Sequence, residues 1–373
     1  MKQKQILISG GPVHAYLDDV KIITNKFRGG LMAQMAEQFL EEDDINVTYV
    51  CKKQSVEPSK IKGWNCTRNI IYHNGINDYM NIVLELAPDM DAVILGAAVA
   101  NLVPKNKIEG KFPSHNYKEG DTIPIDFTIA PRIIDRVKKV APKTQLFGFK
   151  LLAGVDYDEL ISAAYGVLLE SKATAIIAND SMDLMNKYVV TKERGIHQMT
   201  NNNLVDWITE RLNEEYYRTI LLDTVFNIDK NISALKVLAE NYKTLFSMVP
   251  EGFTFGSLAV KLDNGGFITT ARGKNEIEDF VFVKNVDHEK RIVYVEGNKK
   301  ASLNSPLLDR IFSNTEVRAI VHFHGVQTGI PMCSYATPGT TKDTNRDCAL
   351  IEKSFVIENH GSYLLIDEEG NVL

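Results

Sequence analysis

At 373 residues the chain is longer than one hydrophobic core usually spans, since single cores stop growing at about 250 to 300 residues, so two domains are expected. Hydrophobic residues make up 44% and charged ones 24% with a net charge of -6, which supplies a core for each half and excludes the global basic field that draws nucleic acid or anionic membrane. No uninterrupted apolar run of about 18 residues occurs, the opening MKQKQILISGG is too short in apolar residues for a secretory leader, and Cys51, Cys66, Cys333 and Cys348 form no CxxC pair, so the chain reads as cytoplasmic with free thiols.

The first element is a short buried strand, Ile6-Leu7-Ile8, followed directly by the turn Ser9-Gly10-Gly11-Pro12. In an open α/β sheet a ligand binds outside such strand ends, where turn amides point outward. A second glycine pair, Gly29-Gly30, opens a helix over 31–40 whose free N-terminal amides suit an anion. A strand over 47–50 completes one βαβ unit; 64–72 fits either regular structure, 77–85 reads as helix and 91–95 as a third buried strand. Alternation of this kind predicts a parallel sheet. The run GAAVAN over 96–101 puts small side chains where that strand ends, suited either to a ligand lying on the backbone or to close helix packing.

A basic irregular stretch follows, with Lys105, Lys107, Lys111 and Lys118, which is either a solvated face or a loop closing over phosphates. An edge strand is expected over 124–127, a helix over 131–140 with Pro131 at its start, a strand over 145–149, a helix over 156–171, strands over 175–178 and 187–191, and one long helix over 204–226. After a turn near 227–230 and a helix over 232–248 the pattern becomes antiparallel. Strands over 255–262 and 266–270 flank Asp263-Asn264-Gly265, a hairpin signal, and 279–286 pairs with 291–296. A helix over 306–313 leads to a strand over 319–324, in which His322 and His324 share a face because strand side chains alternate. With His360, from the stretch FVIENHGSYLLI, they can supply the three nitrogens of an open metal site.

Six collinear runs in the first 215 or so residues carry a resemblance: SGGPVHAYLDDVKIITNKFRGG, AAVAN, KIEGK, APRIIDRV, GFKL and IIAND. Together they resemble the phosphopantothenate-cysteine ligase family. The resemblance implies a Rossmann-like domain in which a carboxylate attacks the α-phosphate of CTP or ATP and cysteine then opens the acyl-nucleotide. Such chemistry needs positioned positive charge rather than a protein nucleophile. By the same resemblance Asn25 holds the acyl intermediate and Lys107 the phosphates. Gly10, Gly11, Leu95, Gly96, Ala97, Asn101, Pro131, Arg132, Ile133 and Phe149 line the nucleotide, Mg²⁺ accompanies the triphosphate, and the domain works as a homodimer or larger homo-oligomer. Two departures bear on nucleotide choice. Asn101 stands where bacterial members have aspartate, and two of their lysines fall at about Val167 and Ser171.

The remainder resembles the class II aldolase and adducin family through GSLAVKL, FITTARG, VHFHG, TPGT and ENHGSYLL. This implies an α/β domain with a mainly antiparallel sheet and zinc, or another divalent metal, on His322, His324 and His360. The family's acid-base glutamate is missing, because Leu303-Asn304-Ser305 occupies the corresponding stretch, and Ser257 replaces a phosphate-binding asparagine. The expectation is a ligase domain over 1–228 and an aldolase-like domain over 229–373. The first acts on 4'-phosphopantothenate or a related carboxylate with cysteine or a related amine. The alternatives are a metal-dependent lyase for a phosphorylated hydroxy-carbonyl compound, or an aldolase-like assembly module.

Overall fold

A computed structural model describes residues 3–59, 69–193, 195–224, 232–246 and 254–373. Cys66, most of the ambiguous stretch at 64–72, the turn at 227–230 and the ends of the helices expected to reach 226 and 248 lie outside these. The chain forms two compact units, Met1–Lys192 with His197–Leu212, and Glu193–Ile196 with Asn213–Leu373.

In the first unit, β1 (Lys4–Gly10) is flanked by β3 (Ile45–Cys51) and β5 (Ala92–Leu95), both parallel to it. The short β2 (Pro12–Val13) follows β1, and helix α1 (Gly30–Leu40) joins the β1 region to β3. Next come β4 (Ile70–Tyr72), α2 (Ile76–Leu86), then after β5 the short β6 (Ala98–Val99) and the hairpin β7 (Leu102–Pro104) with β8 (Phe127–Ile129). The edge strand expected over 124–127 is thus displaced to β8. Helices α3 (Ile134–Val140) and α4 (Tyr157–Ser171) bracket β9 (Gln145–Leu152), followed by β10 (Ala175–Asp180), β11 (Asp183–Thr191), β12 (Ile196–Thr200) and α5 (Asn201–Asn213).

The eight-stranded sheet runs β12-β11-β10-β9-β5-β1-β3-β4. The strands from β4 to β10 are parallel, as the alternation predicts, whereas β11 turns back antiparallel on β10. Only a two-residue turn separates β10 from β11, too short for a parallel crossover. The core is continuous from Ile6, Ile8 and Val47 through Met35 and Phe39 of α1 to Leu204 and Ile208 of α5. Strand order reverses between β1 and β5, the switch point at which such sheets bind ligands.

The helix expected over 204–226 stops at Asn213, because Arg218–Leu222 forms β13, parallel to a strand of the second unit's sheet. Its residues Thr219 to Leu222 belong to the β-branched and aliphatic types that fit a sheet better than a solvated helix. The structural division accordingly falls near Asn213 rather than at 228. Helix α6 (Ile232–Tyr242) then precedes β14 (Ser257–Lys261), β15 (Phe267–Thr270), β16 (Phe280–Asp287) and β17 (Ile292–Glu296). Helix α7 (Ser305–Asn314) leads to β18 (Ala319–Phe323), β19 (Met332–Cys333), β20 (Phe355–Ile357) and β21 (Gly361–Ile366). These nine strands form one sheet, β13-β17-β16-β15-β14-β18-β21-β20-β19, antiparallel except at its two ends. Alternation splits its side chains cleanly. Phe267, Val283, Ile320 and Tyr363 meet Leu307 and Ile311 of α7, while Leu258, Ile268, Val321 and Leu364 meet Leu235 of α6.

Candidate functional site

At the switch point of the first unit the two glycine turns pack against each other. Gly29 has φ +90, and a Cβ there would lie 2.4 Å from the Gly11 nitrogen; Gly11 itself has φ +76. Glycine is demanded at both positions by backbone geometry and closeness. A Cβ on Gly96 would lie 1.9 Å from Met32 Sδ of α1, so this residue serves helix packing, while its neighbours Leu95, Ala97, Ala98 and Val99 face open space. The two readings of the GAAVAN run therefore divide by residue.

That space is a cavity of about 640 Å³ beside the carboxyl ends of β5 and β9. Of the expected residues, Asn25, Leu95, Ala97, Asn101, Pro131, Arg132, Ile133 and Phe149 line it. Gly10, Gly11, Gly96 and Lys107 do not appear in its wall. The amide of Asn25 donates to the Ala98 carbonyl at 3.0 Å, which fixes the side chain at the rim through β6. β6 in turn is held by parallel pairing with β2, immediately after the first glycine turn. Sequence reasoning missed Phe27, Tyr79, Ile129, Lys150 and Leu151, whereas Val167, where a lysine of bacterial members falls, does line the cavity. Tyr79 comes from the middle of α2 and shares a 2.8 Å hydrogen bond with Ser9 at the end of β1, a tertiary contact with no local pattern. Phe27, Lys150 and Leu151 each fall inside one of the six runs, the last two in GFKL.

Lys107 lies outside this wall, ion-paired with Asp19 and 5.4 Å above the Tyr16 ring. Asp18 and Asp19 clasp its loop: Asp18 accepts the Phe112 N–H at 2.9 Å and Asp19 the Gly110 N–H at 2.8 Å. The N–H groups of Phe112, first, and of Lys21 and Val20 hold the buried Asp18 carboxyl far below the usual range, and the Lys107 ammonium, first, with the Gly110 N–H lowers Asp19. Arg132 is also committed, to Asp135 at 3.4 Å and to Glu170.

In the second unit His322, His324 and His360 converge, their candidate ligand atoms all within 4.8 Å of one another. His322 is fully buried on β18; its Nδ1–H donates to the Ser362 carbonyl at 3.0 Å, which leaves Nε2 with its lone pair directed at the cluster. His360 Nε2 approaches that nitrogen to 3.0 Å. Burial first, and electrostatic interaction with His360 second, hold His322 far below its ordinary pKa, and burial pushes His360 down to about 3. Neutral imidazoles are the form that ligates a metal. Tyr363 and Ser257 lie directly across from His322 on the neighbouring strands; Tyr363 stacks on its ring at 4.2 Å. Ser305, where an acid-base group was sought, is fully buried and donates to the Ser302 carbonyl at 2.7 Å.

Comparison with known proteins gives residues 1–215 as a match to the family described as "DNA/pantothenate metabolism flavoprotein C-terminal domain". A coenzyme A biosynthesis bifunctional protein CoaBC from Thermococcus kodakarensis is 31% identical over 181 residues, covering 48% of this chain and 42% of that protein. The chain thus spans less than half the length of this curated relative. The solved DNA/pantothenate metabolism flavoprotein of Streptococcus pneumoniae superposes with a TM-score of 0.48 at 23% identity, over 57% of this chain and 98% of the other. The l-fuculose-1-phosphate aldolase of Thermus thermophilus superposes with a TM-score of 0.28 at 19% identity, over 37% of this chain and 80% of the other. Since the family match takes in more than half of the sequence, from the first strand through the end of α5, the chain belongs to the DNA/pantothenate metabolism flavoprotein C-terminal domain family.

Proposed function

We propose that the first unit is a nucleotide-dependent carbon-nitrogen ligase joining 4'-phosphopantothenate, or a related carboxylate, to cysteine or a related amine, with CTP or ATP as the activating nucleotide. The observation that carries this reading is the 640 Å³ cavity at the sheet's switch point, with Asn25 on its rim and no carboxylate among its lining residues. A wall free of acids suits a polyanionic triphosphate. The Thermococcus relative, a coenzyme A biosynthesis protein, points the same way.

In the proposed reaction a carboxylate oxygen of the acid attacks the α-phosphorus, the bond to the β-phosphate oxygen breaks and pyrophosphate departs. The amine nitrogen then attacks the acyl carbon, loses a proton, and the nucleoside monophosphate leaves. Asn25 orients the acyl-nucleotide through its amide. Lys107 exchanges Asp19 for phosphate oxygens, and the clasp of Asp18 and Asp19 keeps its loop in place. Because no acid lines the cavity, Mg²⁺ would enter already bound by the triphosphate.

Following pyrophosphate release from CTP or ATP with candidate acids and cysteine tests the reading. Lys107→Ala should slow release by about 100- to 1,000-fold with the fold intact; unchanged turnover removes Lys107 from the site. Asn25→Ala should let an acyl-nucleotide accumulate under single-turnover conditions, read by mass spectrometry. We also propose a homodimer or larger homo-oligomer, which light scattering at micromolar concentration would refute by finding monomer alone. The buried thiols Cys51 and Cys348 and the half-buried Cys333, all free, suit a cytoplasmic location.

For the second unit, the convergence of three imidazoles, with His322 and His360 held neutral by burial, favours a divalent-metal site on His322, His324 and His360. Zinc bound there would polarise a carbonyl. The chain's own contribution is to fix the His322 tautomer through Ser362. With Ser305 tied to Ser302, no base corresponding to the aldolase glutamate stands ready, so ordinary aldol cleavage is expected to be weak; assembly through this unit is the remaining alternative.

A further inference from the structure

We propose that Lys150, lining the first unit's cavity, is a further phosphate-binding cation in addition to Lys107 and holds the β- and γ-phosphates of the nucleoside triphosphate. The inference rests on the ligase reading and assigns a role to a residue outside the expected set. Among the described residues, two cationic side chains line the cavity, Arg132 and Lys150. Arg132 is neutralised by Asp135 and Glu170. Lys107, outside the wall, is neutralised by Asp19. Lys150 is half-buried at the end of β9, and among the described residues its ammonium has no ion-pair or hydrogen-bond partner.

The neighbouring strand shows why the charge stays uncompensated. Lys150 pairs with Ala178 of β10, and the next acid along that strand, Asp180, has both oxygens turned to backbone: Oδ1 accepts Met182 N–H at 2.7 Å and Oδ2 accepts Val155 N–H at 2.9 Å. A half-buried ammonium without a counter-ion, in a cavity whose other lining residues include the apolar Leu95, Ile133 and Phe149, attracts anions. Asn25 and Asn101 add amide donors at the same cavity. Opposite them, α4 contributes Val167, an apolar residue at a wall position from which a lysine could also reach the space. The positive charge has been placed on the strand rather than on the helix.

The test is calorimetric binding of CTP, ATP and the uncharged nucleosides cytidine and adenosine to the full chain. Lys150→Met should weaken triphosphate binding by about 10- to 100-fold while changing nucleoside affinity little. Adding Val167→Lys to that variant should restore most of the lost triphosphate affinity, which a misfolded protein would not do. Equal weakening of nucleoside and triphosphate, or a triphosphate affinity unaffected by Lys150→Met, overturns the assignment of Lys150 and leaves the ligase reading standing. A wild-type chain that binds neither triphosphate more tightly than its nucleoside overturns the ligase reading, and this inference with it.

Discussion

The cavity of the first unit and the histidine cluster of the second treat charge in opposite ways. The cavity keeps cations near its wall and offsets most of them at the surface, Arg132 with Asp135 and Glu170, Lys107 with Asp19. The cluster buries titratable groups and holds them neutral, His322 and His360 both far below their ordinary pKa through burial. A mobile polyanion is best met by charges that can change partners, whereas a metal ion needs lone pairs fixed in place before it arrives. The two sites therefore differ in how much any single side chain decides.

The sharpest way to break this contrast is to remove ligands from the cluster. The His322→Ala/His324→Ala double variant should fall from about one bound metal per chain to almost none, because a single remaining imidazole cannot hold an ion that three enclose. Elemental analysis of the purified proteins reads this directly, and equal metal in both refutes the site. A companion thermal scan should lose any metal-induced rise in Tm. No single substitution in the acid-free cavity is expected to act so completely.

The same contrast governs what the sequence disclosed. The cluster was legible because His322 and His324 are two apart, the first on β18 and the second just past its end, and His360 sits at the turn into the adjacent strand, so near-strand alternation and one strand pairing bring them together. The parallel sheet, the hairpin at Asp263-Asn264-Gly265 and the helices of both units were readable for the same reason, being short-range patterns. The cavity was legible only in part. Asn25, Leu95, Asn101, Arg132 and Phe149 come from far-apart segments, and what unites them with Tyr79, Lys150 and Val167 is the sheet order, which no local spacing encodes. Lys107 shows the limit most plainly, since its motif gives its identity but not its partner Asp19. The end of α5 at Asn213 was missed because a helical stripe continues in the sequence up to Tyr216, and only pairing of β13 with β17 reveals the change.

A buried histidine in the first unit sharpens the comparison at intermediate size. His73 is 4% exposed, neither ring nitrogen has a hydrogen-bond partner among the described residues, and burial, helped by interaction with His14 and Lys52 and opposed by Asp78, pushes its pKa down to about 4. Its folded pKa lies below that of the unfolded chain, so the unfolded state takes up the proton first. Stability is full above about pH 6.5 and declines as pH falls toward 4. His73 should account for about 2 to 3 kcal/mol of that loss at pH 4.5. Denaturant midpoints at pH 7 and 4.5 measure it. His73→Phe, similar in shape and unable to titrate, should flatten the acid limb; an unchanged limb shows that other groups carry the acid response.

The smallest expected effect concerns Asn101, which lines the cavity and whose backbone carbonyl accepts the Ala130 N–H at 2.8 Å. Asn101→Asp keeps the shape and the backbone bond but replaces an amide donor with a negative charge, in a wall that otherwise has none. Because the residue is exposed, water screens much of the repulsion, so triphosphate binding should weaken by only about tenfold. Cytidine and adenosine, carrying no phosphate, should change by less than about threefold. If instead the nucleosides lose as much affinity as the triphosphates, Asn101 reads the base rather than sensing charge, and the nucleotide whose affinity falls further is the one whose base the amide contacts. That outcome would move the specificity of the cavity from its electrostatics to a single hydrogen-bonding side chain, much as a metal on the histidine cluster would depend on lone pairs fixed in place.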